Sequence, residues 1–215
     1  MLAAVFVAGC GGTEREARPV RLTAGEVCGG ELLNAGAVRA LELLTGAQEF
    51  DPRGKGSEDV AAVAEHLAGG YAAIASSRGG RVCEAVPSDT ANKRRVSVSF
   101  ELQSELMRTG EQSESGKGSY WEYDLGRNAL AHSWQAFLFF DCASPRLAGP
   151  DKAVPVTAKV YVTAGSEGDE PALRGANLAL AHSAALAMGE ELGCKDNGGL
   201  PQTLVLKQKA ARTDP

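Results

Sequence analysis

Gly110 to Ser119, GEQSESGKGS, is the stretch of the chain that most invites a chemical reading, because glycine-rich loops can cradle phosphate. A loop of the form GxxxxGK[ST] wraps backbone N–H groups around the phosphates and sets a lysine and a hydroxyl beside them. That spacing requires glycine at 111 and serine or threonine at 118, where the chain has Glu111 and Gly118. Glu111 and Glu114 would also repel the anion, so the segment is expected to be a solvated hairpin loop. His66, His132 and His182 show neither HxxxH nor HExxH spacing, and no local metal site is encoded. No GxSxG elbow precedes a histidine. Glu122 and Asp124 would share one strand face, as glycosidase carboxylates can, and Glu190 and Glu191 form a second pair; ordinary solvent-facing acids have the same spacing. Glu167, Asp169 and Glu170 sit in a glycine-rich turn without the twelve-residue calcium-loop pattern. No catalytic residue, metal or cofactor is assigned.

Cysteine chemistry is the better-defined signal. Of the five cysteines, Cys10 stands in a sequence of its own, Val7-Ala8-Gly9-Cys10, after the uncharged apolar stretch Leu2 to Val7. An aliphatic residue, two small residues and a cysteine form a lipobox. The apolar segment enters the membrane, small side chains fit a peptidase cleft, and the thiol is acylated. Residues 1–9 are therefore expected to be part of a signal peptide whose basic beginning lies upstream. Residues 10–21 are expected to be a lipidated cysteine and a flexible tether. Two acyl chains hold a protein stably where one is marginal.

Cys28, Cys83, Cys142 and Cys194 remain, an even number that an oxidising compartment would pair. None belongs to a CxxC pair, which argues against zinc. Three pairings are open to four cysteines. Joining neighbours along the chain, Cys28 with Cys83 and Cys142 with Cys194, closes loops of similar size and is the expected arrangement.

These side chains must be held by elements that the periodicity outlines. Thr23 and Glu26 have capping-box spacing for a short helical turn. Asn34 can cap a helix with Val38, Leu41 and Leu44 on one side, stopped at Gly46. Ser57 is expected to cap a longer helix carrying the stripe Val60, Val63, Ala64, Leu67, Tyr71 and Ile74, which ends at Gly79-Gly80. The period then becomes two. Val96, Val98, Phe100 and Leu102 alternate with polar residues, as do Trp121, Tyr123 and Leu125 after a loop at 108–118. After a turn at 126–128, Ser133 to Cys142 contains Phe137-Leu138-Phe139-Phe140, apolar on both faces like a central strand. Val154 to Val162 alternates again. An alanine-rich helix from Pro171 to about Leu192 and a last strand at 203–206 complete the pattern. Residues 22–215 are thus expected to be a single α+β domain, a four- to five-stranded mainly antiparallel sheet with helices packed on one face.

On that sheet Val96, Trp121, Leu138 and Val160 should face the core. Arg95, Gln103, Tyr120, Gln135, Phe137, Phe139, Lys159 and Tyr161 should face the other way. Four aromatics exceed what solubility needs. Arg95, Tyr120, Gln135, Phe137, Lys159 and Tyr161 are therefore the candidate binding face. A cover over Phe137 and Phe139, making a two-sided core, is the competing reading.

The lipobox, the tether and one α+β domain with four further cysteines resemble the small envelope lipoproteins of actinobacteria. High alanine, glycine and arginine usage fits a GC-rich genome. The resemblance implies a lipid-anchored protein on the outer face of the cell membrane. Its expected role is non-catalytic binding of a small ligand or an envelope protein. An envelope enzyme of hydrolase type, with a site assembled only in three dimensions, is the alternative. A net charge of −5 offers no footprint for nucleic acid, and no apolar run approaches the roughly 18 residues of a spanning helix.

Overall fold

The computed structural model describes residues 20–52, 57–72, 79–102, 120–164 and 170–209. The expected leader and Cys10, Ile74, Gln103, the loop at 108–118, and Glu167 with Asp169 lie outside these ranges.

Eight strands and three α-helices follow one another along the described chain in the order β1 (Leu22–Thr23), α1 (Ala35–Thr45), β2 (Glu49–Phe50), α2 (Val60–Ala72), β3 (Gly80–Ala85), β4 (Val96–Leu102), β5 (Trp121–Tyr123), β6 (Asn128–His132), β7 (Gln135–Ser144), β8 (Gly149–Val162) and α3 (Pro171–Leu192). A 3₁₀ turn spans Lys195–Gly199. β1 and β2 pair by themselves, and the other six strands form one antiparallel sheet of order β3-β4-β8-β7-β6-β5. β5 to β8 meander, so β8 ends beside β4.

The class agrees with the α+β expectation, but the sheet has six strands where four to five were expected, and two of them, β3 and β6, were concealed in the sequence pattern. β3 carries a bulge at Val82, since Arg81 pairs with Ser99 and Cys83 with Val98. The extra residue breaks the simple alternation that marks a strand. β6 begins where the expected turn at 126–128 ends and carries no strand signal, because its inward residues are Ala129 and Ala131, weak strand formers. Only a small side chain there lets α3 lie close. The expected strand at 203–206 does not form. Pairing to the β5 edge occurs further on instead, where Asp124 N–H donates to the Lys207 carbonyl and Lys209 N–H donates to the Glu122 carbonyl, both at 2.8 Å.

α3 packs across β6, β7 and β8 and against α1. A helix sandwiched in this way must be apolar nearly all round. Ala176, Leu178, Ala181, Ala184, Ala185 and Met188 are all buried. Its polar buried residues are consumed by the junctions. Asn177 Nδ2 donates to the carbonyls of His132 and Ser133 at 2.9 and 3.1 Å. Ser183 Oγ donates to the Leu32 carbonyl at 3.0 Å and accepts from Asn34 N–H at 2.9 Å. Asn34 Oδ1 in turn caps α1 through Gly36 and Ala37 N–H at 3.0 Å each, and Gly46, at φ 67°, closes the helix.

Capping at α2 is different from expectation. Asp59, not Ser57, accepts from the Ala62 N–H, at 2.7 Å. The cause is upstream: Glu58 N–H donates to the Arg81 carbonyl at 2.8 Å, which holds that segment against β3 and moves the helix start along.

Cys28 is bonded to Cys83 and Cys142 to Cys194, the pairing of chain neighbours, with Cα separations of 5.1 and 4.9 Å. The first ties the segment after β1 to the β3 bulge. The second ties central β7 to the end of α3. Ser144 Oγ reinforces it by donating to the Leu192 carbonyl, and Arg146 pairs with Glu65 at 2.7 Å and Glu191 at 3.3 Å.

Candidate functional site

Strand alternation sends Val96, Val98, Phe100, Leu138 and Val160 inward, and all five are buried against the helices. Their neighbours therefore occupy the opposite face of the sheet. The register sets Gln135 opposite Tyr161, Phe137 opposite Lys159 and Phe139 opposite Thr157 across β7 and β8. On the other side of β7, Leu130 pairs with Phe137 and His132 with Gln135.

A continuous group of rings results. Tyr120, just ahead of β5, lies edge-on to Phe137 at 5.7 Å, to His132 at 6.2 Å and to Trp134 at 6.3 Å between centroids. Trp134 meets the Tyr161 ring at 5.8 Å, nearly perpendicular at 85°. Phe137 and Phe139 stack with planes 7° apart. Edge-to-face and offset arrangements of this kind suit the ring quadrupoles.

Polar groups thread through the rings. The Tyr120 hydroxyl donates to Gln135 Oε1 at 2.6 Å, and burial pushes its phenol above the ordinary tyrosine value, so it stays a neutral donor. Lys159 Nζ sits 5.7 Å from the Phe137 centroid and 2.7 Å from Glu101 Oε1. Its charge is thus already matched within the protein. Arg95 closes the row at the start of β4, where its N–H donates to Thr163 Oγ1 at 2.9 Å and its carbonyl accepts from Thr163 N–H at 2.9 Å.

Tyr120, Gln135, Phe137, Lys159 and Tyr161 of the candidate face thus form one cluster on one side of the sheet, and Arg95 is exposed just ahead of β4. Two corrections follow. Phe137 is only 7% exposed and belongs to a small core on this side, so it is not a contact surface. Trp121 does face the helices, but at the sheet edge it stays 37% exposed, and the Arg174 guanidinium covers it at 4.6 Å instead of core side chains. β5 is simply too far out for α3 to bury an indole.

The sequence pattern missed His132 and Trp134. His132 ends β6 and Trp134 is the second residue of the two-residue turn Ser133-Trp134 between the alternating runs NALAH and QAFLF, and that spacing between two strands was the available signal. His132 is 8% exposed and its Nδ1 has no hydrogen-bond partner. The other histidines serve separate ends: His66 pairs with Glu58 at 3.3 Å, and His182 Nε2 bonds the Pro201 carbonyl at 2.7 Å.

Glu122 and Glu191, one member of each carboxylate pair, lie in different settings. The Glu122 carbonyl accepts a backbone bond on the β5 edge, and Glu191 pairs with Arg146. On the helical side, a cavity of about 210 Å³ opens beside Cys28, with Glu31, Asp59 and Glu191 at its wall. Two of those three are committed, Asp59 to capping and Glu191 to the ion pair. Among the described residues, no group of three histidine, cysteine or acidic side chains could hold a metal ion.

No protein-family model, curated protein or solved structure matches this chain.

Proposed function

We propose that the protein is an extracytoplasmic lipoprotein, anchored through acylated Cys10, whose domain binds a ligand or partner on the aromatic face of its sheet. The observation that carries the reading is the row of rings Tyr120, Trp134 and Tyr161 on the side of the sheet away from the helices. Tyr161 is 43% exposed. A sheet needs only one face buried to fold, and polar residues suffice on the other. Large rings left accessible there cost solubility without adding to the main core, which is the mark of an interaction site.

The test separates folding from binding. Tyr161→Ser and Tyr120→Ser are compared with the parent in thermal melts and in binding to labelled envelope extracts. Unchanged melting with reduced retention is expected for Tyr161→Ser, and some loss of both for half-buried Tyr120→Ser. Unchanged binding by both variants would end the reading.

A further inference from the structure

Resting on that reading, we infer that the ligand is an acidic saccharide, held by Tyr161 and Trp134 through its ring faces and by Arg95 through a carboxylate. Size comes first. Phe137 is buried and Phe139 half-buried, so the accessible aromatic surface narrows to the strip from Tyr120 through Trp134 to Tyr161. A stable protein interface needs about 800 Å² per partner with a well-packed apolar centre. This strip is far smaller. A small ligand, with one apolar face for the rings and polar edges for a few placed groups, matches it.

Chemistry narrows the class further. Trp134 stands perpendicular to Tyr161, so each presents a different surface to a molecule lying along the row. Pyranose rings offer such C–H faces, and their hydroxyls both donate and accept, which suits Gln135 between the rings.

The charge is supplied by position. β4 and β8 pair Ser97 with Tyr161, the register ends at Val96 opposite Val162, and Arg95 next to it is tied to Thr163 by one backbone bond, from Thr163 N–H to its carbonyl, and one side-chain bond, from its own N–H to Thr163 Oγ1. Arg95 and Tyr161 are then diagonal neighbours on one face, within reach of long side chains. Among the described residues the Arg95 guanidinium has no ion-pair partner, whereas Lys159 is already held by Glu101. A planar guanidinium recognises a carboxylate through two parallel hydrogen bonds. In a protein of net charge −5, this cation beside accessible rings selects a ligand that brings its own negative charge.

The experiment uses the Cys10→Ser chain and fluorescence titration with oligogalacturonate, oligomannuronate and oligoglucuronate, each beside its methyl ester. At least one free acid is expected to bind and to alter tryptophan emission, with esterification weakening it roughly tenfold or more. Arg95→Gln should bring the acid down to the level of its ester and leave the ester unchanged. Tyr161→Ser should weaken both. Equal binding of acid and ester would overturn the carboxylate assignment. Binding of no saccharide by the folded protein would overturn the ligand class, and the aromatic face itself would survive only if Tyr161→Ser still reduced retention of envelope material.

Discussion

At the scale of single residues, the informative groups are buried polar atoms that the fold leaves without a counterpart. Thr157 is fully buried on β8, between Glu101 of β4 and Phe139 of β7, and its Oγ1 has no hydrogen-bond partner. Valine has the same branched shape without the hydroxyl. Removing a desolvated, unpaired polar atom should stabilise by about 1 kcal/mol, since no bond is lost. Thr157→Val is therefore expected to raise Tm by roughly 2–4 °C, read by calorimetry. A lower Tm would place a bonding partner on that hydroxyl. His182 offers a second test. Burial pushes its imidazole below the ordinary value, and the bond to the Pro201 carbonyl only partly opposes that shift. The unfolded chain takes up the proton near pH 6.5 while the folded chain resists it. The stability it contributes is thus complete above about pH 6.5 and lost as pH falls toward the depressed folded value. Urea midpoints at pH 7.5 and 5.5 should fall further for the parent than for His182→Gln. Equal falls would show that His182 plays no part.

Elements raise a different question, namely which ties are local and which hold the whole core. The two disulfides close loops of similar separation, 55 and 52 residues, so chain entropy predicts nearly the same ceiling for each, roughly 4 kcal/mol. Their settings differ. Cys142–Cys194 joins the central strand to the long helix, with Ser144 and Arg146 sharing the junction. Cys28–Cys83 joins a short connecting segment to the edge strand β3. Cys142→Ala with Cys194→Ala is expected to lower global stability by up to about that ceiling in urea unfolding. Cys28→Ala with Cys83→Ala should in addition release residues 24–31 to hydrogen exchange while the α3 amides stay protected. If α3 exchanged as fast as the 24–31 segment, the two ties would belong to one cooperative unit.

For the whole molecule, the question is where the domain is held. The described residues contain no helix long and apolar enough to cross a membrane, and the attachment proposed above is through Cys10. Expressed behind a lipoprotein signal peptide, the parent is expected in the detergent phase and labelled by palmitate; Cys10→Ser should appear in the aqueous phase, unlabelled. A Cys10→Ser protein that partitions and labels like the parent would dismiss the anchor. With the proposed lipid at Cys10 and the proposed binding face on the sheet, anchoring and binding would use separate parts of the chain. The Cys10→Ser protein should therefore melt like the parent.

Much of this architecture is written locally. Asn34 and Gly46 bracket α1 by their own side-chain and backbone preferences, and alternation over 96–102 and 154–162 identifies strands because the period of two needs no distant partner. The side of the sheet taken by Gln135, Lys159 and Tyr161 follows from the same parity. What local pattern could not express was competition between segments. β3 hides behind its bulge, β6 behind alanines kept small for a helix some forty residues later, and Asp59 replaces Ser57 as cap because Arg81 claims the Glu58 amide. Burial was the last thing decided by the tertiary structure. Trp121 and Phe137 have identical strand parity rules to their neighbours, yet one stays exposed and the other disappears. How far α3 reaches along the sheet and how closely the rings on the opposite face pack are properties of assembled elements, and no single segment of sequence carries them.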